Sequence, residues 1–114
     1  MPRTFGAVIR AERTKRGFGL RQFAKTIGLS PTYLSKIERD EFGPPAEDKV
    51  VTIAKLLDLD PDEMLALAGK VASDVQDLIR RHPQEMASFL RSTKGWSAEE
   101  MSRLAKNAAR RRKR

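Results

Sequence analysis

The segment Ser30-Pro31-Thr32-Tyr33-Leu34-Ser35-Lys36-Ile37-Glu38-Arg39 sets four hydroxyls, a lysine and an arginine around two aliphatic residues. These residue types suit contact with nucleic acid. A hydroxyl both donates and accepts, Lys seeks guanine acceptors or phosphate, and the Pro31 ring or the Thr32 methyl suits a thymine methyl. Other chemistries are poorly supplied. With no cysteine there is no disulfide framework and no thiolate zinc site. The single His82 completes neither an ordinary His-rich metal site nor a histidine pair for acid/base work. No nucleophile sits with a plausible base, no glycine-rich phosphate loop appears and no metal-ligand cluster exists, so an enzyme is the weakest option and no cofactor is expected.

A reading surface of this kind needs a rigid mount. Apolar residues recur at three- and four-residue steps and no run alternates cleanly, so the chain reads as all-α. Phe5, Val8, Ile9 and Ala11 predict a first helix with Thr4 as N-cap, ending near Arg16 with Gly17 as its stop. Leu20, Phe23, Ala24 and Ile27 predict a shorter second helix closed by Gly28. Ser30 then serves as N-cap and Pro31 as first helical residue of a third helix running to about Arg39, with Leu34 and Ile37 inward. Two prolines make Asp40-Glu41-Phe42-Gly43-Pro44-Pro45 a loop. Val50, Ile53, Ala54 and Leu57 set a fourth helix. Asp60-Pro61-Asp62-Glu63 caps a fifth that carries Met64, Leu65 and Ala68 and ends at Gly69. Residues 20–39, LRQFAKTIGLSPTYLSKIER, therefore form a short helix, a turn and a second short helix, the arrangement in which the second helix enters the DNA major groove. Small Ala24 allows the two helices to approach, and Gly28 permits the turn.

Charge divides the chain unevenly. Residues 1–40 hold 9 basic and 3 acidic side chains, residues 41–79 hold 3 and 9, and residues 80–114 hold 11 and 3, for a net charge of +8. Two basic ends flank an acidic middle. This is either a solvated surface of mixed sign or a basic face for a polyanion with the acidic segment turned elsewhere.

The stretch FGLRQFAKTIGLSPTYLSKIERDEFGPPAEDKVVTIAKLLDLDPDEMLALAG resembles the XRE family, the helix-turn-helix domains similar to phage Cro and repressor proteins. The resemblance covers roughly residues 4–69. It rests on an Arg in helix one, the A-x-x-x-G-x-S core, the Y-L-S-K-I-E-R stretch and the D-P-D-E-M-L close. It implies a five-helix domain, base contacts from Thr32 and Lys36, and Ser30 with Pro31 at the groove edge. Tyr33, Ser35 and Arg39 fall at phosphate positions, and Arg13 and Glu38 fall where many members hold a structural ion pair. The chain departs from the family pattern where relatives begin helix two with Ser-Gln. Gly19-Leu20 stands there, so that clamp is missing and Arg21 or Gln22 would replace it. Asp40 stands where Gly often ends the reading helix, and Ala46 replaces a frequent capping Ser or Thr.

After Gly69 the same helical grammar continues. Ser73-Asp74-Val75-Gln76 resembles a capping box before Val75, Leu78 and Ile79. Pro83 opens a helix bearing Met86, Phe89 and Leu90, and Ser97-Ala98-Glu99-Glu100 caps one bearing Met101, Leu104, Ala105 and Ala108. A subdomain of roughly 40 residues buries little surface alone, so these one-sided faces are expected to pack on the first domain, on a second copy, or on both, with dimerisation favoured. Lys94-Gly95-Trp96 reads as a turn whose Trp96 covers apolar surface, and His82 as a C-terminal cap. The cations Arg110, Arg111, Arg112, Lys113 and Arg114 repel one another and are expected to fray. They form either a solubilising tail or an added DNA contact, by sequence-independent counterion release or by reaching into a minor groove.

The expected organisation is an all-α chain: a helix-turn-helix domain over 1–69, a helical extension over 70–109 and a basic tail over 110–114. No stretch approaches a membrane span and the first residues do not form a secretory signal, so a cytoplasmic location is expected. The expected function is a sequence-specific transcriptional regulator, a repressor binding a near-palindromic operator on double-stranded DNA as a homodimer. The alternative is an antitoxin-type protein that binds a partner through the acidic middle or the C-terminal helices and also regulates its own operon.

Overall fold

A computed structural model describes residues 3–112. Among these residues there are eight α-helices and no strand: α1 Phe5–Lys15, α2 Leu20–Ile27, α3 Pro31–Glu38, α4 Glu47–Leu56, α5 Pro61–Leu67, α6 Ser73–Arg81, α7 Pro83–Ser92 and α8 Ala98–Arg112. The fold is the expected five-helix, repressor-like domain followed by a helical extension. The chain divides between Val75 and Gln76 into two units. Residues 70–75 therefore go with the first unit, where Ala72 packs against the core.

The first unit is built from strong local signals. The Thr4 hydroxyl accepts the Ala7 N–H, Ser30 accepts from Tyr33, and Asp60 accepts from Asp62 and Glu63, so α1, α3 and α5 each start on a side-chain cap. Each of the five helices ends on one left-handed residue: Gly17, Gly28, Asp40, Asp58 and Gly69. In each case the next residue's N–H reaches back five positions, as in Leu29 to the Ala24 carbonyl at 2.9 Å and Glu41 to the Lys36 carbonyl at 2.9 Å. This satisfies carbonyls that a helix end otherwise leaves open. Asp takes the left-handed region more readily than most side chains, which explains positions 40 and 58.

Among the described residues fourteen side chains form the core, including Phe5, Val8 and Ile9 of α1, Phe23, Ala24 and Ile27 of α2, and Leu34 and Ile37 of α3. Val50, Ile53, Ala54, Leu57, Met64 and Leu65 complete it. Ala11 lies exposed, so α1 buries a narrower stripe than its apolar residues suggest. α1 packs on α3, α2 on α3 and α4, and α4 on α5.

In the second unit none of the residues of α7 or α8 is buried. α8 opens on a complete capping box, with Ser97 Oγ accepting the Glu100 N–H at 3.1 Å and the Glu100 carboxylate accepting the Ser97 N–H at 3.3 Å. Two expectations need correction. Ser73 is the first residue of α6 rather than its N-cap, and its hydroxyl donates to Glu47 Oε2 at 3.5 Å. Arg110, Arg111 and Arg112, expected to fray, are helical in the last turn of α8, where the partial negative charge at a helix C-terminus favours cations and offsets part of their repulsion. Lys113 and Arg114 lie outside the described residues. His82 closes α6 through its backbone N–H, which reaches the Leu78 and Ile79 carbonyls, and precedes α7 without a side-chain cap bond.

Candidate nucleic-acid interface

The turn between α2 and α3 is fixed from both sides. Gly28 adopts φ 79°, and Lys49 of α4 donates from Nζ to the Ile27 carbonyl at 2.9 Å. A Cβ at Gly28 would sit 2.8 Å from that Nζ, so a larger residue there would be strained in its backbone and would disturb the lysine. Ala24 is fully buried, with no side chain beyond Cβ to hold α2 and α3 apart.

α3 is anchored along its inner side by Leu34 at 0% exposure and Ile37 at 1%. Deleting either side chain would cost about 2 to 5 kcal/mol. Its end is locked by Glu38, whose carboxylate accepts from Arg13 Nε at 2.8 Å and from the second Arg13 amino nitrogen at 2.9 Å. The remaining Arg13 amino group donates to the Phe18 carbonyl at 2.7 Å. The hydrogen bonds it donates to Glu38 hold the Arg13 guanidinium above its ordinary value, against the opposing effect of burial. A second tie joins the same corner to α1: the Thr4 hydroxyl donates to Asp40 Oδ2 at 3.0 Å. α1 approaches this corner so closely at Gly6 that a Cβ there would lie 2.1 Å from the Ile37 carbonyl oxygen.

With its inner side committed, α3 presents Pro31, Thr32, Tyr33 and Arg39 exposed and Ser35 and Lys36 half-buried. Ser30 lies exposed at the mouth of the turn, its oxygen occupied by the Tyr33 N–H at 3.1 Å and its O–H free to donate outward. Arg39 Nη1 lies 3.0 Å from Glu41 Oε2 in an exposed pair, and such pairs contribute little and exchange easily for another anion. Arg21 and Gln22 sit exposed in the first turn of α2. Gly19 leaves that turn without a side-chain cap. The ring of Phe42 lies 5.7 Å from that of Tyr33 in an edge-to-face contact, and Lys36 Nζ sits over it at 5.0 Å.

Three of these participants escaped the sequence reading. Gly6 had a usable signal, since an isolated glycine inside a helical pattern marks close backbone approach. Phe42 stood out only as an aromatic in a Gly-Pro loop, and Lys49 carried no signal at all. Among the described residues there is no cluster of metal-ligating side chains, and no helix is long and apolar enough to cross a membrane.

Comparison with known proteins bears on the fold and the family. The chain is similar to the DNA-binding domain of the P22 C2 repressor, at 29% identity over 57% of this chain and 84% of that one, with a TM-score of 0.51. Its fold is also similar to one in the SinR protein/SinI protein complex, at 21% identity over 97% of this chain and 100% of that one, with a TM-score of 0.52. No curated protein matches the sequence closely enough to count as a relative. Residues 6–70, more than half of the chain, match the helix-turn-helix domain family. The chain therefore belongs to the helix-turn-helix family of DNA-binding regulators similar to repressors.

Proposed function

We propose that this protein is a sequence-specific transcriptional repressor that binds a near-palindromic operator as a homodimer. Its α3 enters the major groove, where Ser30, Thr32 and Lys36 discriminate bases and Pro31 lies at the groove edge. Arg21, Gln22, Tyr33, Ser35 and Arg39 meet phosphates and set the register. The observation that carries the reading is the division of α3 into a fully anchored inner side and an outward side whose Thr32 and Tyr33 are exposed.

Residues 1–69 act as the reading domain and residues 70–109 as the dimerisation element. Support for the second role comes from Leu78 at 49% exposure, Leu90 at 52% and Trp96 at 41%, surface that a second copy would cover. The tail, 110–114, adds affinity for any duplex through counterion release. Two α3 helices related by a twofold axis would address half-sites about 34 to 36 Å apart. The protein acts in the cytoplasm and without catalysis.

Selection of bound duplexes from a random pool, followed by sizing of the complex, tests the reading. Enrichment of an inverted repeat carrying two chains is the expected outcome. A chain that binds all duplexes alike at moderate salt, or binds the enriched one as a single copy, would overturn it.

A further inference from the structure

Phe42 is 48% exposed in a loop, outside the core that accounts for most large apolar side chains of the first unit. Its surroundings are nevertheless ordered from two directions. Its backbone N–H reaches the Lys36 carbonyl at 3.2 Å, alongside the Glu41 N–H at 2.9 Å on the same oxygen. Asp40, at φ 61°, turns the chain back towards α3 and is held by the Thr4 hydroxyl. Beyond it, Pro45 is buried and fixes the far end of the loop. The ring is thereby returned over the last turns of α3. There it meets the Tyr33 ring in a T-shaped contact and lies beneath the ammonium of Lys36, residues three apart on one helix face.

We propose that Phe42 is a positioning residue for DNA recognition: its ring holds Lys36 and Tyr33 in restricted conformations on the face of α3 before the duplex arrives. The inference rests on the reading of α3 as the recognition helix. A free lysine side chain samples many rotamers, and fixing it on binding costs affinity that a pre-ordered one retains. The negative face of the Phe42 ring attracts the ammonium and steers it without neutralising it, because a ring carries no net charge. An acidic residue in the same place would hold Lys36 equally well but would cancel the charge that a guanine or a phosphate requires. An aromatic ring instead leaves the lysine available for transfer to DNA.

The prediction separates this role from a simple apolar contact between Phe42 and DNA. The full chain is compared with Phe42→Ala, Phe42→Leu and Phe42→Tyr, using the duplex that the unaltered protein enriches from a random pool and a scrambled duplex of equal length. Phe42→Ala and Phe42→Leu should each weaken the enriched duplex by about two- to tenfold and the scrambled one by less, through Tyr33 alone, and Phe42→Tyr should restore both. Once Lys36→Ala is in place, Phe42→Ala should have little further effect beyond its share through Tyr33. In the free protein, proton NMR should show the Lys36 side-chain methylenes shifted upfield by the ring, a shift lost in Phe42→Leu and kept in Phe42→Tyr. Thermal melts of each variant establish that the fold is retained.

Unchanged binding in Phe42→Ala, equal loss on both duplexes, full rescue by Phe42→Leu, or tighter binding when the ring is removed would each overturn the inference while leaving the recognition helix in place. Failure of the unaltered protein to enrich any duplex would instead remove the reading on which it rests.

Discussion

Arg13 and Glu38, 25 residues apart in sequence, meet in a two-pronged ion pair in which their side chains retain only 12% and 4% exposure. The pair joins α1 to the last residue of the helix that carries Thr32 and Lys36. Removing one partner strands the other charge where water reaches it poorly. Arg13→Ala should therefore destabilise the first unit by about 3 kcal/mol, measured by urea unfolding. A domain of this size holds only about 3 to 10 kcal/mol in total. The shift on Arg13 is upward, so the stability it contributes is present below the unfolded-state value and lost only as pH rises beyond it into strong alkali. Arg13→Ala should accordingly cost the same at pH 6 and pH 9; a cost that vanishes across that interval would refute the assignment.

Gly6 offers a sharper steric test. Its missing Cβ leaves room for the Ile37 carbonyl and the Asp40 carboxylate, which would lie 2.1 Å and 2.7 Å from the added carbon. Alanine is ordinarily the better helix former, by about 1 kcal/mol. Here Gly6→Ala should destabilise by about 1 to 3 kcal/mol, because α1 must move away from the end of α3. A variant that melts at or above the temperature of the unaltered protein would show that this close approach does not matter.

Lys36 and Arg39 should separate base reading from phosphate contact. Lys36→Ala is expected to weaken the enriched operator by about 1 to 3 kcal/mol and random DNA much less. Arg39→Ala should weaken both and lower the salt slope by about one. Equal losses on both duplexes for Lys36→Ala would remove it from the base-reading set.

The extension and the tail are separable in the same way. Replacing Leu78, Phe89 and Leu90 by Ser should convert the proposed dimer to a monomer in sedimentation without lowering the melting temperature of the first unit, since none of these side chains is buried. Trimming residues 110–114 should leave the proposed dimer intact, weaken every duplex and flatten the salt dependence. A dimer that persists in the triple variant would place the contact elsewhere.

The first five helices were legible because their boundaries are written locally. Thr4, Ser30 and Asp60 cap starts, Pro31 and Pro61 occupy first positions, and Gly17, Gly28 and Gly69 stop helices within one turn of the residues they serve. What escaped acts across the chain: Lys49 bonds a carbonyl 22 residues away, and Gly6 matters only because Ile37 lies against it. The Arg13–Glu38 pair came from family resemblance, since nothing in the spacing of two charges names them as partners. Arg110, Arg111 and Arg112 continue α8 for a different reason: the negative end of the helix attracts cations, an effect that opposes the repulsion between neighbours and leaves no mark in the spacing of the residues.

The corners on Gly17, Gly28, Asp40, Asp58 and Gly69 also bear on how quickly the first unit reaches its native state. The most extensive helix contacts, α1 with α3, α2 with α3 and α4, and α4 with α5, join elements at most two apart along the chain, so little loop-closure entropy is lost before they form. Small helical proteins with such short-range topology fold in microseconds to milliseconds. The hydrogen bond that closes each corner comes from the residue directly after it, so each corner is complete without any part of the helix that follows.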